Sequence, residues 1–138
     1  MCMHFIIVNY NVTDLLRNCL LSIEKFAEEI QYEIIVIDNQ SPDQSWKDLK
    51  NEFTNVRFIE NEMNEGFSKA NNKAIKYAQG DYILLLNPDT ELESNQTKEV
   101  LDFVKSKNNF GCLGVRMHDA QGRFLPESKR SIPNMLNS

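Results

Sequence analysis

The acids and amides most able to do chemistry fall in short groups: Asn9-Tyr10-Asn11, Asp38-Asn39-Gln40-Ser41, Asn64-Glu65-Gly66 and Asn87-Pro88-Asp89. In the last, the apolar run Ile83-Leu84-Leu85-Leu86 stops at Asn-Pro-Asp. Such a run reads as a strand buried on both faces of a parallel sheet. Proline has no N–H for a ladder and pushes Asn87 into an extended conformation, so the strand should end there. The Asp89 carboxylate then lies just past a strand's C-terminal edge, where open α/β sheets bind ligands. A hard oxygen ligand at that edge suits a divalent cation carrying a phosphate. Asn64-Glu65-Gly66 opens a helix, and the free backbone N–H groups of a helix start can approach a phosphate.

Taken singly, each group has a plainer explanation. Asp38 or Asn11 alone is a common turn or cap residue, Gly66 a helix start, and Asp89 an N-cap. What they share is position. Each follows an expected parallel strand, so the topology gathers them on one sheet edge. Other chemistries lack their residues. There is no Walker A sequence and no G-x-G-x-x-G. His4 and His118 lie far apart with no Ser or Cys elbow beside them, which argues against a nucleophilic triad. His4 begins a strand and reads as structural, and so does His118.

The elements that must position these groups alternate between strand-like and helix-like patterns, predicting βα units around a mostly parallel sheet. Strands are expected at Phe5 to Val8, Glu33 to Ile37, Val56 to Ile59, Ile83 to Leu86 and Cys112 to Met117. The first helix starts near Asp14, capped by Thr13 or Asp14, and turns Leu16, Cys19, Leu20, Ile23 and Phe26 inward. A second follows Ser41-Pro42-Asp43 and buries Trp46, Leu49 and Phe53. A third runs from Gly66 to Ala78, with Gly66, Ala70 and Ala74 in one row that lets it lie close to the sheet. A fourth runs from about Glu93 to Lys105 with Val100, Leu101 and Val104 inward. Asp119-Ala120-Gln121-Gly122 reads as a hairpin turn. The tail from Glu127 to Ser138 shows no element that closes a core.

A length of 138 residues suits a single domain, 1–138. The 15 basic residues are dispersed among 20 acidic ones, net −5, which argues against a nucleic-acid partner. Cys2, Cys19 and Cys112 form no C-x-x-C pair, so zinc and disulfide frameworks are not expected, and a reducing cytosol fits best. The start of the sequence has no basic segment followed by a long apolar stretch, so no signal peptide is expected, and no apolar run reaches membrane-spanning length. The expected location is cytoplasmic, with the inner face of a membrane reached only as part of a longer parent.

The ordered motifs Ile6-Ile7-Val8-Asn9-Tyr10-Asn11, Val36-Ile37-Asp38-Asn39-Gln40-Ser41-Pro42-Asp43, Asn64-Glu65-Gly66-Phe67-Ser68-Lys69-Ala70-Asn71-Asn72 and Leu85-Leu86-Asn87-Pro88-Asp89-Thr90 resemble family 2 glycosyltransferases. The rhamnosyltransferase-like branch, whose acidic motif often reads N-P-D rather than D-x-D, is especially similar. The resemblance implies a GT-A fold, a three-layer, Rossmann-like α/β domain binding a nucleoside diphosphate sugar. In that family Val8, Asn9, Tyr10 and Asn11 would line the base pocket. Asp38 would hydrogen-bond the base or ribose, with Asn39 and Ser41 shaping its loop. Asn64, Gly66, Ala70 and Asn71 would sit against the ribose and diphosphate. Asp89 would ligate Mg²⁺ or Mn²⁺ on the diphosphate, with Asn87 as a neutral partner. Because Asn87 stands where an acid is usual, water or substrate must supply more of the coordination.

The reaction implied is inverting transfer to a saccharide or lipid-linked saccharide acceptor, in building a surface polysaccharide. Its catalytic base is expected beyond residue 138, in an acceptor-binding half before which this sequence stops. The chain is therefore expected to bind donor and metal but to be weak or inactive as a transferase. Asp119 and Glu127 read as turn and loop residues. Two alternatives remain open. A sugar-phosphate nucleotidyltransferase would need a Gly-rich basic loop where Asn9-Tyr10-Asn11-Val12-Thr13 stands. A non-catalytic nucleotide-binding or assembly module would be indifferent to loss of Asp89.

Overall fold

Ile6-Ile7-Val8 and Ile34-Ile35-Val36-Ile37 are β-branched runs, stiff at χ1 and suited to a pleated surface packed on both sides. In the computed structural model, which describes residues 2–126, they pair directly. Strands β1 (Cys2–Asn9) and β2 (Gln31–Asp38) run parallel, with Ile6 beside Ile35 and Asn9 beside Asp38. β3 (Val56–Glu60) adds outside β2 and β4 (Tyr82–Leu86) outside β1. The order is β3-β2-β1-β4 and every pairing is parallel. Asn9, Asp38, Asn61 and Asn87 consequently all leave the sheet at the same edge.

Side chains alternate between two apolar layers. On one face Met3, Phe5, Ile7, Ile34 and Val36 pack with Leu16, Cys19, Leu20 and Ile23 of α1 (Thr13–Phe26). Leu49 of the short α2 (Leu49–Glu52), Phe53, and Leu101 of α4 (Gln96–Lys105) extend this cluster. On the other face Ile6, Ile35 and Ile37 meet Ala70 and Ala74 of α3 (Gly66–Ile75). The small side chains seat that helix close to the sheet. Each fully buried Leu, Ile or Phe contributes roughly 1.5–3 kcal/mol relative to exposure. These are the three layers expected.

Several details differ from expectation. The N-cap of α1 is Val12 and makes no side-chain cap; Thr13 Oγ1 instead accepts a 2.9 Å hydrogen bond from Ser45. The second helix is only a 3₁₀ turn, Ser45–Asp48, running into α2, yet it buries Trp46, Leu49 and Phe53 as the pattern requires. β4 is not covered on both faces. It is an edge strand, α3 lies over β1 and β2, and Ile83 and Leu85 remain 44% and 48% exposed.

Contacts divide the chain into a unit up to Phe103 and another from Val104. In the second, the expected fifth strand at Cys112 to Met117 does not form, and residues 111–117 have no regular structure. Gly111 and Gly114 weaken β pairing there, and Leu113 and Val115 stay exposed, so no burial supports it. The hairpin turn does form. Asp119 N–H donates to Arg123 O and Gly122 N–H to Asp119 O, both at 2.9 Å, with Gly122 at φ +78°. Backbone and side-chain donors, Arg123 first, hold the Asp119 carboxyl below its ordinary range. An antiparallel bridge joins His118 to Phe124. The tail from Glu127 onward lies outside the described residues. No described helix is long and apolar enough to cross a membrane.

Candidate functional site

Asp38 ends β2 and, by register, stands beside Asn9 at the end of β1. It is fully buried, with Oδ1 accepting from Asn9 Nδ2 at 2.8 Å and Ser41 Oγ at 2.6 Å. Its Oδ2 accepts from the Ser41 backbone N–H at 2.9 Å. Ser41 Oγ in turn accepts from the Asn11 N–H at 2.8 Å, so this carboxylate ties the loops after β1 and β2 together. To wrap around it, Asn11 and Gln40 take left-handed conformations, φ +56° and +61°. Such conformations cost a non-glycine residue roughly 1–2 kcal/mol and concentrate at functional sites. The Asn9 amide oxygen is a buried acceptor with no partner among the described residues.

The start of α3 is fastened to the same loops. Asn39 Oδ1 accepts the Glu65 N–H and Asn64 Oδ1 the Gly66 N–H, each at 2.9 Å. Two of the backbone groups expected to be free for a phosphate are thus already held, Glu65 N–H by Asn39 of the neighbouring loop and Gly66 N–H by Asn64 of the same turn. Gly66 has φ +76° and open space around it, so glycine is needed there for its backbone conformation. Ala70 and Asn71 are buried, the first against the sheet and the second donating Nδ2 to Phe67 O at 2.9 Å. Both seat the helix from within.

Beside this frame a cleft of about 310 Å³ opens between the ends of β1 and β4. Val8, Tyr10, Val12, Leu15, Asn87, Pro88 and Asp89 line it. The structure thus brings Val8, Tyr10, Asn87 and Asp89 into one cavity and sets Asn9, Asp38, Asn39 and Ser41 in the framework beneath the adjoining loops. Asn87 O accepts from Thr90 N–H and Oγ1 at 3.2 and 2.6 Å, which closes a turn and leaves Asp89 exposed. The Asp89 carboxylate makes no hydrogen bond among the described residues. Burial, then Glu91 and Asp89, push the Cys19 thiol behind this turn up to about 12. Val12 and Leu15 escaped the sequence reading. Leu15 is 43% exposed in the structure; the signal available in sequence was an apolar residue off the Leu16, Cys19, Leu20 and Ile23 stripe, next to a candidate loop.

Among the described residues no three His, Cys, Asp or Glu side chains converge to cage an ion. The donor set at the β4 edge is one exposed carboxylate and one amide. That set fits a hydrated cation completed by a ligand's phosphates.

The family described as Glycosyl transferase family 2 matches residues 4–137. The chain belongs to this family. Poly(ribitol-phosphate) beta-glucosyltransferase of Bacillus spizizenii is 35% identical over 124 residues, covering 86% of this chain and 19% of that protein. Dolichol-phosphate mannosyltransferase of Pyrococcus furiosus is 26% identical over 114 residues, 80% of this chain and 32% of that protein. The crystal structure of Staphylococcus aureus TarS 1-349 in complex with UDP is similar with a TM-score of 0.67 and 25% identity, covering 77% of this chain and 32% of that one. This glycosyltransferase family 2 chain therefore spans about a third or less of the length of these relatives.

Proposed function

We propose that this chain is the donor-binding portion of an inverting glycosyltransferase that moves a sugar from a nucleoside diphosphate sugar to a hydroxyl acceptor. The observation that carries this reading is the 310 Å³ cleft at the C-terminal edge of a parallel sheet, with an exposed Asp89 at its rim whose carboxylate has no hydrogen-bond partner among the described residues. Val8, Tyr10, Val12 and Leu15 offer an apolar wall to a base. In this reading Tyr10 and Asn11, on the loop braced by Asp38, would lie beside the base, and Asn64 and Gly66 at the start of α3 would meet the ribose and diphosphate.

Asp89, assisted by Asn87, would hold Mg²⁺ or Mn²⁺ through one charged contact, leaving phosphate oxygens and water to complete the shell. When bound, the cation supplies Lewis-acid stabilisation of the departing diphosphate. In the displacement the acceptor oxygen attacks the anomeric carbon from the face opposite the phosphate. The sugar–phosphate bond breaks and its electron pair leaves with the nucleoside diphosphate, while the acceptor hydroxyl gives its proton to a general base, a role to which no residue of this chain is assigned. The names of the relatives, poly(ribitol-phosphate) and dolichol-phosphate transferases, support an acceptor that carries a phosphate-linked alcohol, and the TarS complex with UDP supports a uridine nucleotide as donor. The unpaired Cys2, Cys19 and Cys112 favour a cytoplasmic setting.

Calorimetric titration of UDP, TDP and GDP with and without Mn²⁺ tests the reading. Mn²⁺-dependent binding of one nucleotide is expected, and its loss in Asp89→Ala. The stability of that variant should stay within about 0.5 kcal/mol of wild type, since an exposed side chain is removed. Absence of nucleotide binding in the wild type, or undiminished binding in Asp89→Ala, overturns it.

A further inference from the structure

Three lysines, Lys69, Lys73 and Lys76, line the same outer cleft along α3, and two of them are ordinary solvated side chains. Lys69 and Lys76 are exposed, and their ammonium groups make no hydrogen bond among the described residues. Lys73 differs. It is half-buried, and its Nζ donates to Asn61 Oδ1 at 2.5 Å. Asn61 follows β3, is 2% exposed, and passes the interaction on, its Nδ2 donating to Asn39 Oδ1 at 3.1 Å. Asn39 is 3% exposed and donates Nδ2 to Asn64 Oδ1 at 2.9 Å.

We propose that Lys73 is a positioning residue of the donor site, locking the amide line Asn61–Asn39–Asn64 that fixes the loop after β2 against the start of α3. The inference rests on the reading of this edge as a nucleotide site.

The direction of the line is set by groups that can only donate. An ammonium and a backbone N–H have no acceptor capacity. Glu65 and Gly66 N–H pin the oxygens of Asn39 and Asn64, and Lys73 pins the oxygen of Asn61. All the side-chain amides therefore point the same way, away from Lys73. Without the ammonium, Asn61 Oδ1 is a buried acceptor that has lost its donor. Turning the amide over exposes that oxygen to Asn39 Oδ1, acceptor against acceptor. The line then opens at Asn39, whose backbone N–H also joins the loop to Asn9 O at 2.8 Å.

The test compares wild type, Lys73→Met, Lys73→Arg and Lys76→Met by amide hydrogen exchange and by calorimetric titration of UDP with Mn²⁺. In Lys73→Met, exchange at Glu65 and Gly66 should quicken by about tenfold and UDP binding should weaken by about tenfold, the scale of one hydrogen bond to a charged group. Lys73→Arg should restore most of both. Lys76→Met, which removes the same charge from the same helix, should change neither. In an Asn39→Ala background the Lys73→Met effect on binding should vanish, because the line is already cut. Exchange at the wild-type rate in Lys73→Met overturns the lock, whichever way the nucleotide measurement falls. An equal loss of binding in Lys76→Met assigns the effect to bulk charge and overturns it too. A wild type that binds none of UDP, TDP and GDP with Mn²⁺ overturns the donor-site reading on which the inference stands.

Discussion

Replacing Asp38 by asparagine keeps the shape of the side chain and removes an acceptor where the site can least lose one. The carboxylate is fully buried and receives donors on both oxygens: Asn9 Nδ2 and Ser41 Oγ on Oδ1, the Ser41 N–H on Oδ2. An amide must put its NH₂ on one of these sides. If it replaces Oδ2, it confronts a backbone N–H that cannot turn around. If it replaces Oδ1, it confronts Asn9 Nδ2, and the Ser41 hydroxyl can adapt only by abandoning its own donation. Either way a buried donor goes unmet, at about 1–3 kcal/mol, and a bond to a carboxylate is exchanged for a weaker neutral one. The expected loss is about 2–3 kcal/mol. That is a large share of the 5–15 kcal/mol typical of a domain.

Trp46 provides the assay. It is the only tryptophan in the chain and is fully buried, so its fluorescence reports unfolding. With a urea slope of about 2 kcal/mol/M, the midpoint should fall by about 1–1.5 M. Ser41→Ala shares the same bonds, and its effect should be strongly non-additive with that of Asp38→Asn. A loss below about 0.5 kcal/mol, or additivity of the two changes, would refute the claim that Asp38 is the hub of these loops.

Gln40 occupies a left-handed conformation with an exposed side chain, so Gln40→Gly should raise stability by about 0.5 kcal/mol, the steric relief less glycine's entropy; an unchanged or lower urea midpoint contradicts the strain. A Cβ at Gly80 would lie 2.5 Å from both Cys2 O and the buried His4 ring, so Gly80→Ala should lose about 1–3 kcal/mol, and a neutral result would show that the end of β1 can yield. Cys19 ordinarily titrates at 9.0 and is held at about 12 by burial, so the folded chain keeps a proton that the unfolded chain releases. Stability from this source is complete below about pH 9 and falls as pH rises toward 12, by up to about 1.4 kcal/mol per unit. Urea midpoints followed from about pH 9 to 11 should therefore drop more steeply in wild type than in Cys19→Ala, and parallel slopes would exclude the effect.

The layers of the fold were legible because apolar periodicity decides them. Leu16, Cys19, Leu20 and Ile23 recur at helical spacing and do pack on the sheet, and Ile6, Ile35 and Ile37 alternate with Phe5, Ile34 and Val36 on opposite faces. What failed depends on neighbours that local pattern does not contain. Cys112 to Met117 has strand-like composition, yet pairing needs a partner strand and a covered face, and among the described residues Leu113 and Val115 stay exposed with no strand beside them. Ile83 and Leu85 read as doubly buried because both are apolar. Only sheet order shows that β4 is an edge and that α3 stops over β1 and β2.

The site was legible as a set of loops on one edge but not as a division of labour. Asp38 and Asp89 both follow strands, and one-dimensional pattern treats them alike. Register separates them. Asp38 lies opposite Asn9 in the interior of the sheet, where a carboxylate must be surrounded by donors to be tolerated, and it is. Asp89 follows an edge strand, where water is present and no such donors are required, so its charge stays available to a ligand. The asparagines divide in the same way. Asn39, Asn61 and Asn64 are tied to one another across 22 and 25 residues of sequence, contacts that only the folded chain creates. A site that must hold a charged group at a fixed distance needs its supporting side chains locked by their own hydrogen bonds. The buried acid and amides supply that rigidity, and this leaves the exposed acid free to bind.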